Sequence, residues 1–308
     1  LLGIGGAHID RRGRMSAPFI PGASIPGTMQ EETGGGMFNA LRAAVQFGVA
    51  CSMISVRGGD SAGEAVAAEA RRAGINDQSS TFLDRSTASY TALLDMNGDV
   101  AAALADMAIY ETALPRIITR RATRDAIAGA DALLIDANML EAAIRKLLAQ
   151  SAGKPMFALA ISPAKAVRLR PVLAELDTLF LNHREAKAIL GLEPAAARDA
   201  PTLANGLASL GLRRAVLTNG GNPALILDNG QHKSLIPPAP CRIADVTGAG
   251  DALCGACVAA LLSGKPFSEA VADGLAAATT TIETGHATAD FSSKTRFKAL
   301  RAAIRPDK

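Results

Sequence analysis

The sequence predicts an α/β fold: a largely parallel β-sheet covered by helices on both faces, with a small β-strand lid. Three observations predict it. Beyond residue 130, short apolar runs alternate with helix-period runs, the pattern of strand–helix–strand units that feed a parallel sheet. The 308 residues suit one large α/β unit, and a hydrophobic share of 49% supports a sizeable core. Two early stretches, 12–32 and 85–108, interrupt the alternation with extended, turn-rich sequence. They read as a lid within one unit spanning 1–308, not as a second independent domain.

Each element follows from a local signal. Residues 1–9 are apolar and read as a buried strand. Residues 12–32 are rich in Gly and Pro and lack a helical period, which suggests turns and exposed strands. A helix over 36–47 follows a triple glycine, a strand covers 50–56, and Asp60 is a suitable N-cap for a helix over 61–72. Residues 87–94 and 100–105 form a hairpin pattern around a link containing Asn97-Gly98, the favoured turn dipeptide. Strands then fall at 132–136, 156–161, 178–181, 215–218, 224–227 and 233–236, and helices at 140–150, 167–176, 184–190 and 200–210. Further helices fill 248–262, 268–283 and 294–304. Aromatics are only 4%, with no Trp, while Ala and Gly are abundant, so helices and sheet are expected to meet through small residues.

Composition narrows the function. The formal net charge is +3. The denser basic pieces, Arg11-Arg12, Arg120-Arg121 and 294–308, are not interleaved with aromatics, which favours solvated faces over a nucleic-acid surface. No stretch reaches the roughly 18 apolar residues of a membrane span, and nothing resembles a signal peptide. The numbering opens inside the first strand, as if a short leader were missing. Cys51, Cys241, Cys254 and Cys257 do not form a disulfide framework for a chain this long, so a reducing cytoplasm is the expected setting.

The motif with the most chemistry is Asp245-Val246-Thr247-Gly248-Ala249-Gly250-Asp251, which enters an apolar helix. Glycines let a backbone approach an anion closely. Successive N–H groups at a helix start, with the helix dipole behind them, suit phosphate or the charge on a transferring phosphoryl group. A carboxylate at Asp251, inside the turn formed by Gly248, Ala249 and Gly250, is placed to accept a hydroxyl proton. A glycine turn with Asp251 as a plain N-terminal helix charge fits the same residues. The run Gly34-Gly35-Gly36-Met37-Phe38-Asn39 fails the P-loop pattern, having no Lys-Ser/Thr, and fails the dinucleotide fingerprint at Asn39. It reads as close approach to a polar ligand or as a tight turn.

Asn182 and Glu185 lie at i and i+3 where a strand passes into a helix, on one face. They suit phosphate contact and Mg²⁺ held through water, or simple capping. Thr218-Asn219-Gly220-Gly221 ends another strand and would hold a phosphate or turn the chain. Cys254 and Cys257 sit inside the apolar helix without a second ligand pair, so they read as buried small side chains. His183, His232 and His286 stand alone. His8 ends the first strand two residues before Asp10, so both point to one side.

These residues resemble a known family. The 245–251 motif resembles the C-terminal signature of the PfkB carbohydrate kinases, Gly34-Gly35 through Asn39 is similar to their N-terminal signature, and Asn182-His183-Arg184-Glu185 resembles their Asn-x-x-Glu motif. Order and spacing agree over essentially the whole chain. A narrower likeness, to the pseudouridine kinases of that family, rests on the segments 5–11, 86–95 and 105–107 and on Asp136-Ala137-Asn138. The resemblance implies a ribokinase-like core with a β lid that pairs in dimers, ATP and Mg²⁺ as cofactors, and a monovalent cation such as K⁺. It implies that Asp10, Gly35, Asn39 and Asn138 contact a ribose and that His8 and Tyr90 lie near base or sugar. Asp245 would flank the reacting hydroxyl, and Asn182, Glu185, Thr218, Gly220 and Gly221 would serve the nucleotide. Two positions depart from the pattern: Leu159-Ala160 stands where many relatives carry Asp-Pro, and Gly36 where some sugar kinases carry Lys.

The expected activity is phosphorylation of a nucleoside 5′-hydroxyl, that of pseudouridine first, with another nucleoside or a free sugar as the rival. A sensor that has lost catalysis is a second rival, supported by Leu159-Ala160 alone. A nicotinamide-dependent oxidoreductase is disfavoured by the failed glycine fingerprint.

Overall fold

The computed structural model describes residues 1–307. A ten-stranded sheet forms the centre. In spatial order its strands are Arg305–Pro306, Gln231–Ile236, Asn222–Asp228, Arg214–Asn219, Thr178–Asn182, Met156–Leu159, Leu133–Asp136, Leu2–Ile4, Ser52–Ile54 and Asn76–Asp77. Those from Arg214–Asn219 to Asn76–Asp77 run parallel, and the remaining three are antiparallel additions at one edge.

Strand alternation divides the core between the two faces. Leu133 and Ile135 pack on one face with Ile144 and Leu147 of the Glu141–Gln150 helix. Leu134, between them, packs on the other with Phe38 and Leu41 of the Gly36–Gln46 helix and with Val258 of the Ala249–Leu262 helix. The last two helices lie so close that a side chain at Gly255 would run into the carbonyl of Ala40. The abundance of small residues is thus used to bring two helices together, and the consequence appears in the site below.

From Leu2–Ile4 the chain moves outward to Ser52–Ile54 and Asn76–Asp77, then returns to Leu133–Asp136 on the opposite side of the first strand. A crevice opens at the carboxyl ends of strands where the order reverses, and this is where open α/β sheets bind ligands.

A second sheet of four strands, in the order Gly27–Gly34, His8–Met15, Ser89–Leu94 and Val100–Asp106, covers this crevice as a lid. It falls on the two stretches that interrupt the alternation. The continuous strand expected over 1–9 is instead two: Leu2–Ile4 in the central sheet and His8–Met15 in the lid. Gly5 and Gly6 carry the chain from one to the other past a buried carboxylate, since Gly6 N donates to Asp136 Oδ2 at 2.9 Å and a Cβ on Gly5 would lie 2.7 Å from Asp136 Cγ.

Two further differences have local causes. The helix expected over 167–176 is a short α-helix, Pro163–Ala166, followed by 3₁₀ structure over Val167–Glu175. Pro171 has no N–H to give and disrupts an α-helical turn. Residues 108–129, for which no element was expected, form three short helices, Ala108–Thr112, Leu114–Ile118 and Arg121–Gly129. Each is below the length at which periodicity is legible, and they are held by burying Tyr110, Ile117 and Ile127. Among the described residues, no helix is long and apolar enough to cross a membrane.

Candidate active site

The crevice is a cleft of ≈ 590 Å³ between the central sheet and the lid. Four of the parallel strands, Arg214–Asn219, Thr178–Asn182, Met156–Leu159 and Leu133–Asp136, deliver residues at or just past their carboxyl ends, and the lid adds others from above. Of the residues singled out from sequence, His8, Asp10, Gly35, Gly36, Asn39, Tyr90, Asn138, Asn182, Glu185, Thr218, Gly248, Gly250 and Asp251 all line it. Ala249, Asp245, Gly220 and Gly221 are not brought onto its wall. Gly220 and Gly221 sit in the exposed turn between Arg214–Asn219 and Asn222–Asp228. Asp245 stands at the rim with its carboxylate engaged: Oδ1 accepts from Thr247 N at 2.8 Å and Oδ2 pairs with Arg12 of the lid. Burial alone would raise this carboxyl, but Thr247 and the Arg12 guanidinium hold it below its ordinary range.

Asp251 occupies the first turn of the Ala249–Leu262 helix, where N–H groups have no intrahelical acceptor. Gly248 precedes it with φ 77, and a side chain there would strike the Ala287 carbonyl, so this position requires glycine. Gly250 differs: its φ is not positive, and nothing beyond its chain neighbours and its own helix backbone lies within 4 Å of where a Cβ would be. Any need for glycine at 250 therefore comes from a ligand, not from the fold.

The close helix packing through Gly255 allows Asn39 Nδ2 to donate to Asp251 Oδ2 at 3.0 Å. Burial pushes the Asp251 carboxyl up to about 7; Asp136, Asp10 and Glu185 add like charge, while the Asn39 hydrogen bond opposes the rise. A carboxyl poised near neutrality, at the start of a helix and open to a cleft, is suited to accept a proton from a bound hydroxyl.

Asp136 is fully buried and organises the crevice floor. Besides Gly6 N it accepts from Asn138 N at 3.0 Å and Met37 N at 3.4 Å. Its neighbour in register across the sheet is Leu159. That position is thus apolar, and the buried carboxylate at this level of the sheet comes from the adjacent strand.

His8 and Asp10 do point to one side, with Nε2 and Oδ1 3.3 Å apart. His8 opens a lid strand, however, instead of ending a core strand. Asp10 is in register with Tyr90, which sets the two beside each other on the lid's inner face. Tyr110 is buried beneath them. Its hydroxyl donates to Ala7 O at 2.9 Å and lies 3.2 Å from His8 Nδ1, so it fixes the imidazole from behind.

Asn182 caps its helix, accepting from Glu185 N at 3.0 Å, and Glu185 Oε2 accepts from Asn182 N at 2.8 Å. The capping reading of this pair therefore holds. Glu185 also lines the cleft, and burial raises its carboxyl despite those bonds. Among the described residues no group of three or more His, Cys, Asp or Glu could hold a metal ion. One carboxylate fits Mg²⁺ that keeps its waters and is held mostly by phosphate oxygens, and Glu185 is the residue that would face it.

Reasoning from sequence gave no site role to Asp136, Tyr110, Arg12 or Lys165. Lys165 is the one Lys or Arg on the cleft wall among the described residues.

Residues 4–294 match the sequence profile of the pfkB family carbohydrate kinases. The chain is 28% identical over 269 residues to the pseudouridine kinase of Escherichia coli K12, covering 87% of this chain and 85% of that protein. Among solved structures, a carbohydrate kinase from Agrobacterium tumefaciens superposes with a TM-score of 0.85 at 42% identity, over 99% of this chain and 97% of that one. Arabidopsis thaliana ribokinase, solved with ribose and ATP, superposes with a TM-score of 0.82 at 19% identity over 97% of each chain. The last likeness shows a shared, ribokinase-like fold.

Proposed function

The chain belongs to the pfkB family of carbohydrate kinases, and from that premise we propose that it transfers the γ-phosphoryl group of MgATP to the 5′-hydroxyl of a nucleoside, pseudouridine first. The observation that carries the reaction class is Asp251: a half-buried carboxyl pushed up to about 7, hydrogen-bonded to Asn39, at a helix start where the N–H groups have no intrahelical acceptor.

In this reading Asp251 accepts the hydroxyl proton as the oxygen attacks phosphorus. The N–H groups of the Gly248–Asp251 turn meet the charge on the transferring phosphoryl. Asp10, Asn39 and Asn138 hold the ribose hydroxyls, and the Gly35 and Gly36 backbone lies against the sugar. Asn182 and Thr218 serve the nucleotide phosphates, and Glu185 holds Mg²⁺ through water; bound Mg²⁺ offsets phosphate charge. Asp245, Gly220 and Gly221 would reach a ligand only after the rim rearranges. Closing of the lid segments 12–32 and 85–108 over residues 1–308 as one unit would exclude water from the cleft.

The pseudouridine reading is supported by the likeness to the E. coli enzyme and by Tyr90 and His8 on the lid's inner wall. We further propose that two copies pair through the lid, since Val100–Asp106 is an edge strand exposed at every residue. A cytoplasmic setting and a monovalent-ion requirement belong to the same proposal. A free sugar, of ribose or fructose type, is the rival substrate.

The test is ADP release with pseudouridine, uridine, cytidine, ribose and fructose. A site that reads the extra ring N–H of pseudouridine favours it over uridine and ribose by about tenfold or more in kcat/KM, and Tyr90→Ala weakens nucleoside binding while sparing ATP. Ribose or fructose outperforming every nucleoside would refute the substrate. No ADP release with any of them would favour a non-catalytic sensor.

A further inference from the structure

Among the described residues, Lys165 is the one charged side chain on the cleft wall to which the reading above gives no task. We propose that Lys165 is a specificity-determining residue that donates to a carbonyl oxygen on the part of the substrate remote from the reacting hydroxyl, which in a nucleoside is the base. This proposal rests on the kinase reading and adds to it the residue that selects the substrate.

The chain bends sharply to deliver this side chain. Ile161, after the Met156–Leu159 strand, has φ 68. For a β-branched residue that is a strained conformation, and such strain persists where surrounding structure holds it for a purpose. The side chain of Ile161 packs where any side chain on Gly36 would have to go. Beyond the bend, Lys165 N and Ala166 N both donate to Ser162 O, at 3.1 and 2.8 Å, fixing the short Pro163–Ala166 helix at the cleft mouth.

The ammonium is held incompletely. Lys165 Nζ donates to Asn138 Oδ1 at 2.6 Å, a neutral acceptor, and that is its one hydrogen-bond partner among the described residues. Glu111, the acidic side chain on that flank, is taken by Arg168 at 2.6 Å. Arg168 also donates to Asn138 O at 3.0 Å and so pins the backbone there. An ammonium has three N–H donors, which leaves Lys165 two for a ligand. Asn138 turns its oxygen to Lys165, and its buried Nδ2 has no hydrogen-bond partner among the described residues. This end of the cleft is therefore rich in donors.

The reacting end has the opposite character. Hydrogen bonds link the two ends through the cleft floor: Lys165 holds Asn138, Asn138 N donates to Asp136 Oδ1 at 3.0 Å, and Met37 N donates to Asp136 Oδ2 at 3.4 Å. Gly36, next to Met37, lies beside Asp251 Oδ1, so Asn138 and Asp136 stand between Lys165 and Asp251. Acceptors gather at one end, suited to hydroxyl groups that donate. Donors gather at the other, suited to an oxygen that can only accept. A polyol hydroxyl satisfies either end, but a ring carbonyl fits the donor end alone.

The experiment compares wild type with Lys165→Met, and with Lys165→Gln as a second variant should the first fail to fold by circular dichroism. Steady-state kinetics are measured with pseudouridine and with ribose, and pseudouridine binding without ATP is measured by calorimetry. The expected result is that the ratio of kcat/KM for pseudouridine to that for ribose falls about tenfold or more, mainly through KM, with a matching loss in binding. Equal losses for both substrates, or an unchanged ratio, in an enzyme whose wild type phosphorylates pseudouridine would overturn the assignment of Lys165 alone. A wild type that phosphorylates sugars but no nucleoside would overturn the nucleoside reading, and with it the carbonyl assigned to Lys165.

Discussion

Replacing Asp251 by Asn separates the carboxylate's chemical task from its cost to the fold. The carboxyl is raised from an ordinary 3.8 to about 7 because burial and the nearby carboxylates oppose its charge. Each pH unit corresponds to about 1.4 kcal/mol, so keeping Asp251 ionised costs the folded state on the order of 4 kcal/mol at most. A group with a raised folded pKa contributes stability that is full below its unfolded value and is lost as pH rises through the folded one. Wild type therefore loses this stability between about pH 4 and 7, whereas Asp251→Asn, neutral throughout and still able to accept from Asn39 Nδ2, does not. At pH 8 the variant should melt higher by up to about 8–16 °C, at roughly 2–4 °C per kcal/mol for a large domain, and the difference should vanish toward pH 4. Turnover should move the other way: loss of a general base costs about 10²–10⁴-fold. In wild type, kcat/KM should fall tenfold per pH unit below about 7, as the carboxylate fraction does. Differential scanning calorimetry from pH 4 to 8 and initial rates over the same range measure both. A variant that is no more stable than wild type at pH 8, or that turns over at the wild-type rate, would refute the account of Asp251 as a costly, strained-in base.

Three further outcomes follow from the geometry. Gly248→Ala should destabilise the loop by about 1–3 kcal/mol through positive φ and the Ala287 carbonyl, while Gly250→Val should melt like wild type yet lose phosphoryl transfer; thermal melts and ADP release distinguish them, and a Gly250→Val enzyme that stays active would show the turn to be only structural. Tyr110→Phe leaves Ala7 O without its donor and should cost about 1–3 kcal/mol, with KM for the phosphoryl acceptor rising while KM for ATP holds. Arg12→Ala removes the lid's pair with Asp245; since such half-exposed pairs contribute about 1 kcal/mol or less, acceptor KM should rise no more than about fivefold, and 0.5 M salt should reproduce part of that rise in wild type.

Much of this protein is legible along the chain because its signals are local. The glycine turn at 248–250 and the helix behind it, the capping pair Asn182 and Glu185, and the strand–helix alternation that orders the sheet each depend on residues a few positions apart. A parallel order also places each strand's carboxyl end at one crevice, so motifs at strand ends were bound to converge. What the sequence could not decide depends on packing between distant segments. Asn39 reaches Asp251 across 212 positions only because Gly255 lets two helices touch. Asp136 became the floor of the site because Gly5 and Gly6 bend around it, the same bend that splits the first strand between two sheets. Arg12 meets Asp245, 233 positions away, through the placement of the lid. The short helices of 108–129 carry too little period to be read, yet they set Tyr110 under His8. Lys165 carries no local signal of a site, and only the fold beyond the turn at Ile161 brings it to the cleft. Residue types and their order thus specified the chemistry available, and desolvation and long-range contact, which exist only in the folded chain, decided which carboxyl is poised near neutrality and which ammonium is left to read a substrate.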